Sequence, residues 1–148
     1  MSKYWSELTK KLTPYVPGEQ PKDKKYIKLN TNENPYPPSP NVLEAIQKAA
    51  NEDLRLYPDP NGDSLRKTVA DYYNLSMDQI FVGNGSDEIL SFVFAAFFDP
   101  SKVILFPDIT YTFYPVYAKF YDLQYREIPV ADDFSISLEQ FNIPNGGI

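Results

Sequence analysis

One short segment of the sequence combines a glycine-rich turn with the beginning of a helix. Gly83-Asn84-Gly85-Ser86 follows an apolar run that ends at Val82, and it precedes an apolar run of helical length. A helix N-terminus offers free backbone N–H groups and the positive end of the helix dipole, which together favour phosphate. Glycine also lets the backbone approach a ligand closely. The segment predicts either an anion site or an ordinary strand-to-helix turn capped by Asn84 or Ser86.

Three further segments place polar or aromatic side chains near predicted strand ends and turns. They are Asn32-Glu33-Asn34-Pro35, Tyr57-Pro58-Asp59 and Pro107-Asp108-Ile109-Thr110-Tyr111. Because the carboxyl ends of parallel strands meet at one edge of a sheet, we expect Tyr111 at the same edge as the glycine turn. Its ring could face a planar ligand or pack in the core. The first two segments also suit Asx-rich or proline-containing turns.

Two common phosphate motifs do not fit the glycine turn. Gly83 and Gly85 match the first two glycines of a dinucleotide fingerprint, but Glu88 occupies the third glycine position. A P-loop would need a Gly-Lys-Ser or Gly-Lys-Thr sequence after the turn, which is not present.

Composition excludes several other kinds of chemistry. The 148 residues include no cysteine and no histidine, so thiolate or histidine metal sites, disulfides and histidine bases are excluded, and we expect no metal. The net charge of −6 disfavours binding to nucleic acid or to anionic membranes. No apolar run is long enough to span a membrane and no signal-peptide core begins the chain, so we predict a cytoplasmic protein.

Hydrophobic periodicity predicts alternating strands and helices. The predicted helices are a short one before Pro14, one beginning at Ser39-Pro40, one capped by Asp63, one over Ser86–Phe98, one over Phe113–Tyr121 and a turn at Leu138–Phe141. The predicted strands are Tyr26–Asn30, Ile80–Val82, Val103–Phe106, Gln124–Val130 and a strand entry at Gly146-Gly147. This order favours an α/β fold with a mostly parallel sheet covered on both faces. The nearly all-apolar helix over Ser86–Phe98 is expected to be deeply buried or to lie at an interface.

Taken together, these segments resemble the N-terminal part of the histidinol-phosphate aminotransferases. These are class II members of the fold-type-I pyridoxal-phosphate (PLP) aminotransferases. The matching segments are, in order, Leu12–Gly18, Ile27–Tyr36, Leu56–Asp59, Gly83–Glu88 and Thr110-Tyr111. The resemblance implies an incomplete three-layer α/β/α large domain with a mostly parallel sheet. It also implies that residues 1–30 form an N-terminal arm or small-domain segment and that residues 31–148 form the first part of the PLP-binding domain.

The resemblance also implies roles for individual residues. Ser86 and Asp87 would donate backbone N–H groups to the PLP phosphate, with Gly85 allowing close approach. Tyr111 would stack on the pyridine ring, and Tyr57 would reach the phosphate bound in the neighbouring subunit of a homodimer. The pocket for a small-molecule substrate would be bordered by Tyr15, Asn32, Glu33 and Asn34.

The activity implied is transfer of an amino group between histidinol phosphate and 2-oxoglutarate in histidine biosynthesis. In this family the later half supplies the lysine that binds PLP covalently, and the sequence stops before that segment. We therefore expect the 148-residue chain alone to be inactive. A partial sheet exposes an edge and an apolar helix face, so we also expect oligomerisation or poor solubility.

Other functions stay open at this point. The missing half would distinguish the leading activity from that of an aromatic aminotransferase or a threonine-phosphate decarboxylase of the same branch. A non-catalytic remnant that only oligomerises is a different class of function. A nucleotide-binding Rossmann domain is disfavoured by Glu88 at the third glycine position.

Overall fold

The computed structural model describes residues 2–13, 18–24, 26–143 and 146–147 of the chain. The chain divides into two compact units. The sheet unit comprises Met1–Val16 and Gly83–Ile148, and the helical unit comprises Pro17–Val82. The helices are, in chain order, α1 (Glu7–Lys11), α2 (Pro40–Ala49), α3 (Asp63–Tyr73), α4 (Gly85–Phe97) and α5 (Phe113–Phe120). The strands are β1 (Val103–Pro107), β2 (Tyr125–Ile128) and β3 (Gly146–Gly147), and short 3₁₀ helices span Glu52–Arg55, Met77–Gln79 and Leu138–Phe141.

The sheet unit is built around a parallel sheet with strand order β2-β1-β3. Ile104 of β1 aligns with Tyr125 of β2 and, on its other side, with Gly147 of β3. The crossover from β1 to β2 is made by α5, as expected for parallel neighbours, which cannot be joined by a tight hairpin. The predicted helix–strand order and the parallel pairing are therefore present in this unit.

One face of β1 forms the core of the sheet unit. Alternate residues of a strand point to opposite faces, and in β1 Ile104 and Phe106 are the buried ones. They belong to a cluster that also includes Phe94 of α4 and Tyr117 of α5. The opposite face of β1 is only partly buried by the residues that the structure describes. Both helices thus pack over the same face of β1, which brings α4 and α5 together.

The α4 helix is buried along a single stripe. Phe94 is 4% exposed and contacts Tyr117 and Phe98, whereas Phe97 is 78% and Phe92 is 47% exposed. The apolar residues around this helix predicted that it would be deeply buried or lie at an interface. Within the described residues, only one side of α4 is covered.

The helical unit contains α2 and α3 with two of the 3₁₀ helices. Ser39 caps α2 by accepting a hydrogen bond from the Val42 amide, and Pro40 occupies the first turn as predicted. The prediction that Asp63 caps α3 is wrong. Gly62 is the N-cap, in the left-handed region at φ +61°, and Asp63 lies inside the first turn.

Two predicted strands do not form. The segment over Tyr26–Asn30 has no strand structure, and Ile27 and Leu29 are each 90% exposed. A strand needs a partner for its backbone groups, and among the described residues none pairs with this segment. The segment over Ile80–Val82 is likewise not a strand, because the backbone of Ile80 is bonded within the helical unit: its N–H donates to the Met77 carbonyl and its carbonyl accepts from Arg66.

Arg66 is the side chain that joins α3 to the end of the helical unit. Its Nε donates to the Ile80 carbonyl at 3.0 Å and an Nη donates to the Met77 carbonyl at 2.8 Å, while the other Nη pairs with Asp63 at 3.0 Å. Among the described residues, no helix is long and apolar enough to cross a membrane.

We predict that Arg66→Met lowers the free energy of unfolding by about 1 to 3 kcal/mol, because it removes charged donors from two backbone carbonyls. Lys67→Met is the matched control. Among the described residues Lys67 pairs only with Asp71, on the exposed side of the same helix, so this change should stay within about 0.5 kcal/mol. Urea denaturation followed by circular dichroism measures both, and equal effects would contradict the assignment.

Candidate functional site

The glycine turn and the first turn of α4 form the first half of the candidate site. α4 begins at Gly85 with Asn84 as its N-cap, and Asn84 makes no side-chain capping bond. Ser86 is the second residue of the helix, so of the two predicted caps it is Asn84 that occupies the N-cap position. The Glu88 carboxylate accepts a hydrogen bond from the Asn84 amide at 2.5 Å and so links the N-cap residue to the first turn of the helix.

The two glycines of this turn are needed for different reasons. A Cβ on Gly83 would lie 2.6 Å from the Cδ1 atom of Ile89 and 3.0 Å from the Glu88 carboxylate, so a larger residue there would require the ends of these two side chains to move. Gly85 has φ +83°, a conformation that side chains other than glycine rarely adopt. No atom lies within 4 Å of the position of a Gly85 Cβ, which leaves open space above the start of the helix.

The first turn of α4 offers backbone N–H groups next to the glycine turn. The first amides of an α-helix have no carbonyl partner within the helix, so those of Ser86 and Asp87, here called the first-turn amides, are available for a ligand, whereas the Gly85 amide donates to the Gly83 carbonyl at 3.1 Å. The helix dipole adds partial positive charge there. Asp87 and Glu88 place two carboxylates in the same turn, and both are engaged, with the Tyr111 hydroxyl and the Asn84 amide respectively.

Tyr111 forms the second half of the site. It lies in the connection from β1 to α5, and its hydroxyl donates to the Asp87 carboxylate at 2.6 Å. The ring stacks beside Phe113 with 5.5 Å between centroids and meets Tyr114 edge-on at 5.9 Å. The side chain is 40% exposed, so part of the ring is open to a ligand.

Asp87 is also held through its backbone, by a residue that the sequence indicated only as part of an apolar helix face. The Tyr117 hydroxyl donates to the Asp87 carbonyl at 2.7 Å, and Tyr117 is 8% exposed. Burial, and then the negative charge of Asp87, raises the pKa of this phenol above its ordinary value. A buried tyrosine needs a partner for its hydroxyl, and this rule was the only signal that could have singled out Tyr117. Glu88 likewise stands out in the sequence only because it occupies the third glycine position of the dinucleotide fingerprint.

The segment around Asn32 belongs to the helical unit and adopts unusual backbone angles. Thr31 and Asn32 have φ +61° and +52°, which is uncommon for residues other than glycine and costly for a β-branched threonine. Glu33 forms an ion pair with Lys28, and its hydrogen bond to that ammonium lowers the pKa of the carboxyl. The Asn34 side chain accepts from the Tyr36 amide at 3.0 Å, which is an Asx turn.

Tyr57 also belongs to the helical unit, and its side chain is fully exposed. The turn that follows is fixed by Asp59, whose carboxylate accepts from the Asn61 amide at 3.0 Å and the Asp63 amide at 2.6 Å. These bonds lower the pKa of Asp59 below its ordinary value, the bond from Asp63 having the largest effect.

The structure thus brings Gly85, Ser86, Asp87 and Tyr111 together in the sheet unit. Tyr57, Asn32, Glu33 and Asn34 lie in the helical unit. Tyr15 lies outside the described residues. The sheet unit thus contains backbone amides at a helix N-terminus and, next to them, a partly exposed aromatic ring. Asp87 joins the two, because its amide lies in the helix and its carboxylate is bonded to the Tyr111 hydroxyl.

Comparison with known proteins identifies the class. Residues 24–143 match the family model of the class I and II aminotransferases, and the chain belongs to this family. The resemblance seen in the sequence is therefore confirmed.

Its curated relatives include enzymes named histidinol-phosphate aminotransferase. The protein from Clostridium botulinum (strain 657 / Type Ba4) is 63% identical over 99% of this chain and 42% of its own length. Those from Clostridium acetobutylicum and Clostridium beijerinckii are 62% and 59% identical over the whole chain and 42% and 41% of their own lengths. The chain thus spans about two fifths of the length of these relatives.

A solved structure supports the fold class. The crystal structure of histidinol-phosphate aminotransferase from Sinorhizobium meliloti in complex with pyridoxal-5′-phosphate superimposes with a TM-score of 0.71. The match covers 90% of this chain and 37% of that one at 21% identity. The predicted fold, an incomplete α/β part of a fold-type-I aminotransferase, is confirmed. The family and this neighbour both point to PLP-dependent aminotransferases.

The depressed pKa of Asp59 predicts a pH dependence of stability. A carboxyl with a lowered pKa in the folded state stabilises that state above its unfolded pKa, about 4, and the contribution is lost as pH falls through the lower folded value. Asp59→Asn should therefore be less stable than the unsubstituted chain at pH 7, and the difference should shrink below about pH 4. Urea denaturation of both proteins between pH 2 and 7 checks this, and a difference that does not vary with pH would contradict it.

Proposed function

We propose that this chain forms the phosphate- and ring-binding part of a PLP-dependent histidinol-phosphate aminotransferase. The observation that supports this most directly is the hydrogen bond from the Tyr111 hydroxyl to Asp87, which joins the helix N-terminus to an aromatic ring. PLP is an aromatic ring with a phosphate, so a ligand of this kind would use both halves at once. The names of relatives 59 to 63% identical to this chain support the particular reaction.

The residues present fit the phosphate of PLP. Gly85 provides the left-handed backbone and the open space that a closely approaching anion needs. The Ser86 and Asp87 amides would donate to the phosphate oxygens, and the helix dipole would favour their negative charge.

The ring of PLP would lie against Tyr111. The Tyr111 hydroxyl is bonded to Asp87, and the Tyr111 ring makes an edge-to-face contact with Tyr114. The ring is therefore restrained, and because it is partly exposed it offers a stacking surface. Bound PLP supplies the electron-withdrawing ring that makes amino transfer feasible. The residues of this chain hold and orient that ring.

The remaining assignments are part of the same proposal. Tyr57, fully exposed, would reach the phosphate site of the second subunit in a homodimer. Asn32, Glu33 and Asn34, with Tyr15, would border the pocket for histidinol phosphate and 2-oxoglutarate. Residues 1–30 would be the arm or small-domain segment and residues 31–148 the first part of the large domain of a cytoplasmic enzyme.

We also propose that the 148-residue chain alone does not catalyse amino transfer. It spans 42% of the length of its relatives, and the covalent attachment of PLP in this family requires a lysine from the later part. The role of these residues is therefore binding and orientation.

A chimera tests the proposed reaction. We define it as this chain followed by the part of the Clostridium botulinum relative that lies beyond the match. The chimera should form glutamate from 2-oxoglutarate with histidinol phosphate as donor, and the chain alone should form none. A higher kcat/KM with phenylalanine, or decarboxylation of threonine phosphate, would replace the proposed reaction by one of the related ones. A chimera that folds without binding PLP would contradict the proposal as a whole.

Gly85→Ala provides a sharper test of the phosphate site. A methyl group there would project into the space that the phosphate needs, so the affinity of the chimera for PLP should fall by about tenfold or more, the equivalent of one good charged hydrogen bond. Gly62→Ala is the matched control. Gly62 also has a positive φ at the start of a helix, which costs about 1 to 2 kcal/mol for alanine, and a Cβ there would lie 3.2 Å from a Val82 methyl group, so the control is strained at least as much as Gly85→Ala. Equal losses of PLP affinity in a fluorescence titration would contradict the assignment.

A further inference from the structure

Helices α4 and α5 are joined by two tyrosine hydroxyl bonds, one helical turn apart. The Tyr117 hydroxyl donates to the Asp87 carbonyl at 2.7 Å, and the Tyr121 hydroxyl lies 2.6 Å from the Ser91 hydroxyl. The first bond goes to a backbone carbonyl, and the second joins two side-chain hydroxyls, of which either can donate, at the C-cap of α5. Only the bond from Tyr117 is made to a residue, Asp87, whose amide is one of the first-turn amides.

Tyr117 is fixed more firmly than an ordinary surface tyrosine. Its ring packs against Phe94 at 5.3 Å and Phe113 at 5.4 Å between centroids, inside the core of the sheet unit. Its hydroxyl therefore has little freedom to choose another partner. A tyrosine phenol is protonated at neutral pH even at its ordinary pKa of about 10, and burial raises the pKa of Tyr117 further, so this hydroxyl is a donor.

Asp87 receives bonds from two tyrosines, one at its backbone and one at its side chain. Tyr117 holds the backbone carbonyl, and Tyr111 holds the carboxylate at 2.6 Å. The Asp87 carbonyl and the Asp87 amide belong to the two peptide units that meet at the Asp87 Cα, so bonds that hold Asp87 restrain the direction of its N–H group directly and that of the Ser86 N–H group one unit further along the same turn. Donors that stabilise an anion lose much of their effect when they are displaced by about 1 Å.

We propose that Tyr117 is a positioning residue for the phosphate site: its hydroxyl, together with that of Tyr111, holds Asp87 so that the first-turn amides meet the phosphate at a fixed distance from the stacking ring. This inference rests on the proposed function. It adds a residue of the core that touches neither the phosphate nor the ring.

The test compares Tyr117→Phe with Tyr121→Phe in the 148-residue chain. Both remove one hydroxyl bond between α4 and α5 and keep the ring, so both should lower the melting temperature to a similar extent. Amide chemical shifts of residues 85–87, followed by NMR, report binding of PLP, of inorganic phosphate and of pyridoxal, which has no phosphate. NMR measures weak binding, so the chain need not hold PLP covalently.

Tyr117→Phe should weaken inorganic phosphate and PLP by about fivefold, as expected for one hydrogen bond of ordinary strength, and leave pyridoxal unchanged. Tyr121→Phe should leave all three within about twofold, because it acts one turn away from the amides. Tyr117 replaced by 4-aminophenylalanine keeps a donor and should restore phosphate binding. A merely structural role would instead weaken PLP and pyridoxal alike, or make the two phenylalanine variants equivalent, and either result overturns the inference.

Two further outcomes are distinguishable. If Tyr117→Phe does not fold, Tyr111→Phe removes the other bond to Asp87 from a partly exposed residue while keeping its ring. Phosphate affinity should then fall, and unchanged phosphate affinity overturns the inference. If the unsubstituted chain binds neither PLP nor phosphate at residues 85–87, the proposed phosphate site itself fails, and the positioning role fails with it.

Discussion

The arrangement of the site depends on one residue, Asp87, that is bonded through both its backbone and its side chain. A glycine turn before a helix is common in α/β proteins and by itself indicates no ligand. Here the Tyr117 hydroxyl fixes the Asp87 carbonyl and the Tyr111 hydroxyl fixes its carboxylate. The helix N-terminus and the aromatic ring are thereby placed at a defined separation, which is the geometric requirement of a ligand with a phosphate and a planar ring.

The sheet determines where Tyr111 can lie. β1 ends at Pro107, and the residue that follows is locked to the neighbouring strand: the Asp108 amide donates to the Ile128 carbonyl at 2.9 Å. The Asp108 carboxylate then accepts from the Val130 amide at 3.0 Å. The connection to α5 therefore starts from a point fixed by parallel pairing. Burial of Ile128, 2% exposed, is what makes that register specific.

The sequence predicted the elements whose signals are local. The starts of α2 and α4 lie within one residue of their predicted positions, because the Ser39-Pro40 pair and the glycine turn act within a single turn of chain. The strands at Tyr26–Asn30 and Ile80–Val82 were wrong, since a strand exists only with a partner, and no local pattern reveals whether the partner is present. Unpaired, the first segment leaves Ile27 and Leu29 exposed.

The same distinction applies to the site. Glycine, serine and aspartate at the beginning of a helix could be recognised from their order, as could a tyrosine after a strand. The hydroxyl bond of Tyr117 could not, because it spans 30 residues and looks in the sequence like one more apolar position of α5. Likewise, the hydrogen bond from the Asn84 amide to the Glu88 carboxylate forms in a turn that contains Gly85 in the left-handed conformation, which the residue order alone does not reveal.

The electrostatics of the site follow from these bonds. Two carboxylates lie in the first turn of α4, Glu88 bonded to the Asn84 amide and Asp87 to the Tyr111 hydroxyl, and these neutral donors fix the carboxylates in place without removing their charge. The chain as a whole has a net charge of −6, so long-range attraction does not favour a phosphate either. Recognition of the proposed phosphate would then depend on short-range, directed N–H donors. The placement of such donors matters more than net charge, and the proposed role of Tyr117 is to hold that placement from the core.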